Sequence, residues 1–132
     1  MSEQKATILI IDDDSRNIFA LSAVLRSRGF AVIAATSAEE GIAVLKKERG
    51  IKVVLLDMMM PDMDGYEALS VLKADDQVKG IPVFAVTAQA MVGDRERCLQ
   101  AGADEYISKP VDIDLLLNLL KAHKANAWNE GG

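Results

Sequence analysis

Short apolar runs alternate five times along the chain with segments whose apolar residues recur at helical spacing. The runs predict strands near Thr7–Ile11, Phe30–Ala34, Lys52–Leu56, Pro82–Val86 and Glu105–Ile107. They are continuous in Val, Ile and Leu rather than strictly alternating, as expected of strands covered on both faces. The first helix is predicted from Ser15 to Arg28, with Ile18, Leu21 and Leu25 on one side and Gly29 closing it. The second opens at Ser37-Ala38-Glu39-Glu40, a capping-box spacing, and would bury Ala38, Ile42 and Leu45. A third runs from about Gly65 to Lys73, and a fourth ends at Gly102 after Cys98 and Ala101. The last begins near Asp112, with Ile113, Leu116, Leu117 and Leu120 at i, i+3, i+4 and i+7. This (βα)5 rhythm implies a doubly wound α/β fold: five parallel strands with right-handed crossovers and helices on both faces. With 132 residues and no linker or repeat, residues 1–132 read as one domain with a core from about 7 to 124.

Four of the runs end in polar residues. Asp12-Asp13 follow Ile8–Ile11, Asp57 follows Val53–Leu56, Thr87 follows Val83–Val86, and Lys109-Pro110 follow Tyr106-Ile107 after one serine. In a parallel sheet all strand C-termini share one edge, where ligands bind. With strand order 2-1-3-4-5, three carboxylates, a hydroxyl and an ammonium would meet in one crevice. Two carboxylates about 4 Å apart repel by roughly 4 kcal/mol at an effective dielectric near 20. A single hydrogen bond contributes only about 1 kcal/mol net, so either a proton is retained or a cation binds. An oxygen-only donor set suits a hard dication such as Mg²⁺, which keeps several waters, with Mn²⁺ as a substitute. Asp57, at the end of the central strand, is the nucleophile candidate, because an ionised carboxylate can attack phosphorus to form an acyl phosphate. Lys109 would screen the repulsion of an incoming phosphoryl group, and Thr87 offers a hydroxyl to the product oxygen. Asp14 reads as the N-cap of the first helix. A strand-ending Asp alone is often only such a cap; the four sites together are what point to chemistry.

Charge and composition narrow the partners. The net charge is −5, from 15 basic and 20 acidic residues, with no Lys/Arg-rich arm, so nucleic acid is not expected as a direct partner. The lone Cys98 excludes an intrachain disulfide and suits a reducing compartment. The N-terminus lacks a secretory apolar stretch, and no apolar run reaches transmembrane length. A cytoplasmic protein without a membrane partner is expected.

At these positions the chain resembles the receiver domains of two-component response regulators, over about Thr7 to Lys124. The resemblance rests on Ile11-Asp12-Asp13-Asp14, on Asp57-Met58-Met59-Met60-Pro61-Asp62-Met63-Asp64-Gly65, on Thr87-Ala88 and on Ser108-Lys109-Pro110. Ala101-Gly102-Ala103-Asp104 is also typical. The resemblance implies a flavodoxin-like sheet and a chain that catalyses only its own phosphorylation and dephosphorylation. Asp57 would accept phosphate from a histidine kinase or a histidine phosphotransfer protein. Asp13, Asp57 and the backbone carbonyl of Met59 would ligate Mg²⁺, with Asp12 helping through water. Thr87 and Tyr106 would form a switch that reshapes the face of the fourth helix, fifth strand and fifth helix, where a downstream protein docks. The family ties phosphate lifetime to the residues two past Asp57 and two past Thr87, here Met59 and Gln89. Met59 cannot act as a general base, while Gln89 could orient a water, so slow to moderate self-hydrolysis is expected.

Other features read more simply. Met58, Met59, Met60 and Met63 suit loop packing beside the site better than a soft-metal site. His123 reads as an exposed helix-terminal histidine. Leu115 falls opposite the inward stripe of the last helix, with Leu119 at its border, which suggests partner docking or weak dimerisation of an otherwise monomeric chain. An aspartyl-phosphate enzyme would need an acid at position 59 and a substrate cap, and neither is present. A scaffold that is never phosphorylated and the receiver of a hybrid histidine kinase are the other readings.

Overall fold

The computed structural model describes residues 6–60, 65–88 and 93–123. Along the chain run β1 (Thr7–Ile11), α1 (Ser15–Ser27), β2 (Ala31–Ala35), α2 (Ala38–Lys47) and β3 (Ile51–Asp57). They are followed by α3 (Gly65–Ala74), β4 (Val83–Thr87), α4 (Asp94–Gln100), β5 (Glu105–Ser108) and α5 (Ile113–His123). The strands form one parallel sheet in the order β2-β1-β3-β4-β5, the flavodoxin-like arrangement expected.

Alternation along each strand divides the apolar runs between two cores. Leu9, Ile11, Val54, Leu56 and Ala85 pack with Leu69 of α3 and Cys98 of α4 on one face. Ile8, Ile10, Val53, Leu55 and Phe84 pack with Leu25 of α1 and Leu116 of α5 on the other. Both kinds of position are apolar, so the strands read as unbroken runs.

The element ends differ from the sequence expectation for local reasons. β2 starts at Ala31 rather than Phe30, because the Phe30 N–H is bonded to the Leu25 carbonyl in the closing turn of α1. Gly29 makes that turn at φ +94°. β3 and β4 run one residue further than their apolar stretches, since Asp57 and Thr87 still pair with Val86 and Ser108. α4 stops at Gln100, and Gly102 at φ +118° turns the chain into β5. Asp14 caps α1, accepting from the Arg16 N–H at 3.0 Å. Ser37 caps α2, accepting from the Glu40 N–H at 3.1 Å, while the Glu40 carboxylate reaches back to the Thr36 N–H at 2.8 Å. On α2, Gly41 is buried and Ile42 only half-buried, because a side chain at Gly41 would run into Ile11. His123 corrects the expectation of an exposed residue: it is half-buried, 3.4 Å from the Glu105 carboxylate and with its ring centroid 5.0 Å from that of Phe84. Among the described residues no helix is long and apolar enough to cross a membrane.

Candidate functional site

The C-terminal edge of the sheet gathers Asp12, Asp13, Asp57, Thr87 and Lys109. Asp12, Asp57 and Thr87 are the buried polar residues there, at 2 %, 4 % and 2 % exposure, while Asp13 is exposed. Carboxylate oxygens of Asp12, Asp13 and Asp57 all lie within 4.8 Å of one another.

Each side chain is held locally. The Asp12 N–H donates to the Ala35 carbonyl at 3.0 Å, so β1–β2 pairing continues into the site. Asp12 Oδ1 accepts from the Asp14 N–H at 2.9 Å, and Oδ2 accepts from the Asn17 side-chain amide, a residue the sequence reading did not single out. Asp57 Oδ1 accepts from the Met59 N–H at 2.9 Å, which folds the start of the β3–α3 loop back over the acid. The start of α3 lies close against Met58 as well. A Cβ on Gly65 would stand 2.6 Å from both the Cα and the Sδ of Met58, so only glycine allows α3 to begin there. Met58 and Met60 are buried as loop packing, whereas Met59 is 44 % exposed.

Lys109 follows β5 and is fixed by its own N–H, which donates to the Thr87 carbonyl at 2.8 Å. Its peptide bond to Pro110 is cis. The ammonium Nζ lies 3.5 Å from Asp57 Oδ2 and 3.6 Å from Asp12 Oδ2. One ammonium therefore pairs with two of the three clustered carboxylates. Burial pushes the Asp57 carboxyl above its ordinary pKa; the Met59 N–H opposes this, the Asp12 charge adds to it, and Lys109 opposes it again. An all-oxygen cluster with more negative charge than Lys109 can offset fits a hard dication.

Thr87 and Tyr106 share one face of the sheet. Ala85 is paired with Tyr106 and Thr87 with Ser108, and both Ala85 and Tyr106 belong to the core under α4. The Tyr106 hydroxyl donates to Asp94 Oδ2 at 2.9 Å, at the start of α4. Gln89, Pro61, Asp62, Met63 and Asp64 lie outside the described residues.

Exposed apolar side chains also stand on α1 and α5. Leu115 on α5 is 43 % exposed, and Phe19 on α1 is 76 % exposed. Phe19 escaped the sequence reading, although at about 100° per residue it falls well off the stripe of Ile18, Leu21 and Leu25. A shallow groove lined by Asn17, Ala20, Val24, Lys109, Pro110 and Ile113 runs between α1 and the β5–α5 connection.

Residues 8–121 match the family model of the response regulator receiver domain. The polar-differentiation response regulator DivK of Brucella anthropi is 31 % identical over 121 residues, which cover 92 % of this chain and 98 % of that protein. Among solved structures, a putative response regulator from Chloroflexus aurantiacus superposes with a TM-score of 0.85 at 30 % identity, covering 92 % of this chain and 99 % of that one. The receiver domain of sensor histidine kinase PA1611 from Pseudomonas aeruginosa, which carries a magnesium ion in its active-site cleft, gives 0.81 at 32 % identity, covering 90 % and 97 %.

Proposed function

Because the chain belongs to the response regulator receiver domain family of two-component signalling, we propose that it is a phosphorylation-controlled protein-binding switch whose phosphoryl acceptor is Asp57. The observation that carries this reading is the cluster of Asp12, Asp13 and Asp57 within 4.8 Å, with the Lys109 ammonium at 3.5 Å from Asp57. An Asp57 oxygen attacks the phosphorus of a phosphohistidine on a histidine kinase or histidine phosphotransfer protein. The P–N bond breaks, the imidazole leaves with the electron pair, and an aspartyl phosphate remains. Asp13, Asp57 and the Met59 carbonyl would hold Mg²⁺ or Mn²⁺, with Asp12 acting through water. When bound, the cation neutralises charge on the transferring group. Lys109 pairs with the phosphoryl oxygens, and the Thr87 hydroxyl donates to the product. Asp12 keeps the lysine in place from the other side.

The output follows from the shared sheet face of Thr87 and Tyr106. Movement of Thr87 toward the phosphate would free space behind it, and Tyr106 would turn inward. The face of α4, β5 and α5 then changes shape, and Leu115 on that face is the apolar contact for a downstream protein or for weak self-association. Leu115→Glu is expected to weaken either. Phe19, exposed on α1, is suited to receive the phosphodonor protein. Met59 offers no general base and Gln89 can orient a water, so the phosphate outlives a few seconds on the isolated protein. The domain is a single receiver of about residues 7–124, acting in the cytoplasm on proteins rather than on nucleic acid. Its likeness to the PA1611 receiver supports one further reading, that this chain is the receiver of a hybrid histidine kinase.

Incubation with Mg²⁺ and acetyl phosphate, followed by intact mass, tests the proposal. One phosphate should be gained, lost when EDTA replaces Mg²⁺ and absent in Asp57→Asn. No gain with acetyl phosphate, phosphoramidate or a panel of histidine kinases would favour the unphosphorylated scaffold.

A further inference from the structure

Outside the acidic crevice, yet joined to it, a cluster is centred on Asp94. This residue opens α4 behind Gly93, which contributes no side-chain cap. An acid at the first position of a helix ordinarily faces that helix's own free N–H groups. Here both carboxylate oxygens receive phenols from other elements. Oδ1 accepts from Tyr66 of α3 and Oδ2 from Tyr106 of β5, each at 2.9 Å. Hydrogen bonds to an ionised acceptor are the stronger class. Tyr66 is itself clamped, with the Arg97 guanidinium 4.2 Å from its ring centroid and the Cys98 sulfur 3.6 Å from its hydroxyl. Tyr66 follows Gly65, which abuts Met58, the residue after Asp57. A chain of contacts thus runs from the acceptor through α3 to Asp94 and on to Tyr106.

We infer that Asp94 is a positioning residue for the switch, a latch whose carboxylate holds the Tyr106 hydroxyl on the α4 side and so opposes the phosphorylated state. The inference rests on the switch reading above. If phosphorylation turns Tyr106 inward, its bond to Asp94 breaks. By linkage, removing that bond must then favour the phosphorylated state by the same factor. For a half-buried hydrogen bond to a carboxylate the factor is about tenfold. In the opposite arrangement, in which Asp94 travels with Tyr106 and the bond persists in both states, the same substitution would leave the equilibrium unchanged.

The test uses the full chain labelled with 3-fluorotyrosine, whose two tyrosines give two ¹⁹F resonances assigned by Tyr66→Phe. Beryllofluoride with Mg²⁺ serves as the phosphoryl mimic, and its midpoint is measured in wild type, Asp94→Ala, Tyr106→Phe and the double variant. The latch predicts that saturation moves the Tyr106 resonance in wild type. It also predicts that Asp94→Ala lowers the midpoint about tenfold and that Asp94→Ala has no further effect once Tyr106 is phenylalanine. Asp94→Asn keeps the shape and one acceptor oxygen, and gives a smaller shift in the same direction; it carries the test should the alanine variant fail to fold. An unchanged or raised midpoint in these variants, an equal effect in the Tyr106→Phe background, or a Tyr106 resonance that stays still in a wild type that binds the mimic would overturn the latch alone. A wild type that neither binds the mimic nor gains phosphate would overturn the receiver reading, and the latch with it.

Discussion

Replacing the proposed acceptor should stabilise the protein. In Asp57→Asn the charge is removed while an oxygen remains to accept from the Met59 N–H. Attraction between Asp57 and the Lys109 ammonium at 3.5 Å is about 5 kcal/mol at an effective dielectric near 20. Repulsion from Asp12 and Asp13, each within 4.8 Å, is at least about 3.5 kcal/mol apiece on the same basis. The charge at position 57 is thus unfavourable by about 2 kcal/mol before burial adds to it. In a chain of this length 2 kcal/mol corresponds to a rise in Tm of roughly 7 °C. Thermal unfolding followed by circular dichroism, with EDTA at neutral pH, measures it. Saturating Mg²⁺ should close most of the gap by stabilising wild type more than the variant. The pH dependence has a fixed sign. The folded pKa of Asp57 is raised, so the protonated form is favoured in the fold and wild type and variant converge at low pH. Their gap opens as pH rises through the range where Asp57 ionises. A variant that melts at or below wild type in EDTA, or a gap indifferent to Mg²⁺, would refute the electrostatic account of the crevice.

Gly65→Ala drives a methyl group against the Met58 backbone; it should cost about 1–3 kcal/mol, lower Tm by several degrees, and slow phosphorylation by acetyl phosphate because Met58 adjoins Asp57. Phe19→Ala should leave Tm and acetyl phosphate labelling near wild type while slowing transfer from a phosphohistidine protein several-fold, as loss of an exposed aromatic anchor does; equal slowing with both donors would count against a docking role. At alkaline pH the tyrosine pair becomes a liability. Burial first, then the Asp94 carboxylate, pushes the Tyr106 phenol up to about 12, and Tyr66 is raised for related reasons. Stability from both is complete below the ordinary tyrosine range and falls as pH rises through the folded values, so Tm should drop steeply above about pH 10, and less so in Tyr66→Phe with Tyr106→Phe.

The crevice was legible in the sequence because it is built from local signals. A polar residue closing a Val/Ile/Leu run in a parallel sheet must appear at the C-terminal edge, and Asp12, Asp57, Thr87 and Lys109 all carry that signature. The helix caps at Asp14 and Ser37 were equally local. What escaped depends on tertiary juxtaposition. Tyr66 and Asp94 are 28 residues apart, and nothing near either predicts that Asp94 will serve two phenols rather than its own helix. His123 and Glu105 are 18 apart and meet only because α5 packs back across β5. Asn17 was hidden for another reason: an amide on an exposed helix turn looks solvated until Asp12 is placed beside it. Phe19 was recoverable from helical periodicity, since its angle excludes it from the buried stripe.

The central claim is that the phosphoryl group lands on Asp57. After reaction with acetyl phosphate and Mg²⁺, borohydride reduces an aspartyl phosphate to homoserine, which peptide mass spectrometry locates. Homoserine at position 57, and at no other aspartate, is the predicted result. Homoserine at position 12 or 13, or a phosphorylated protein with none at all, would contradict it.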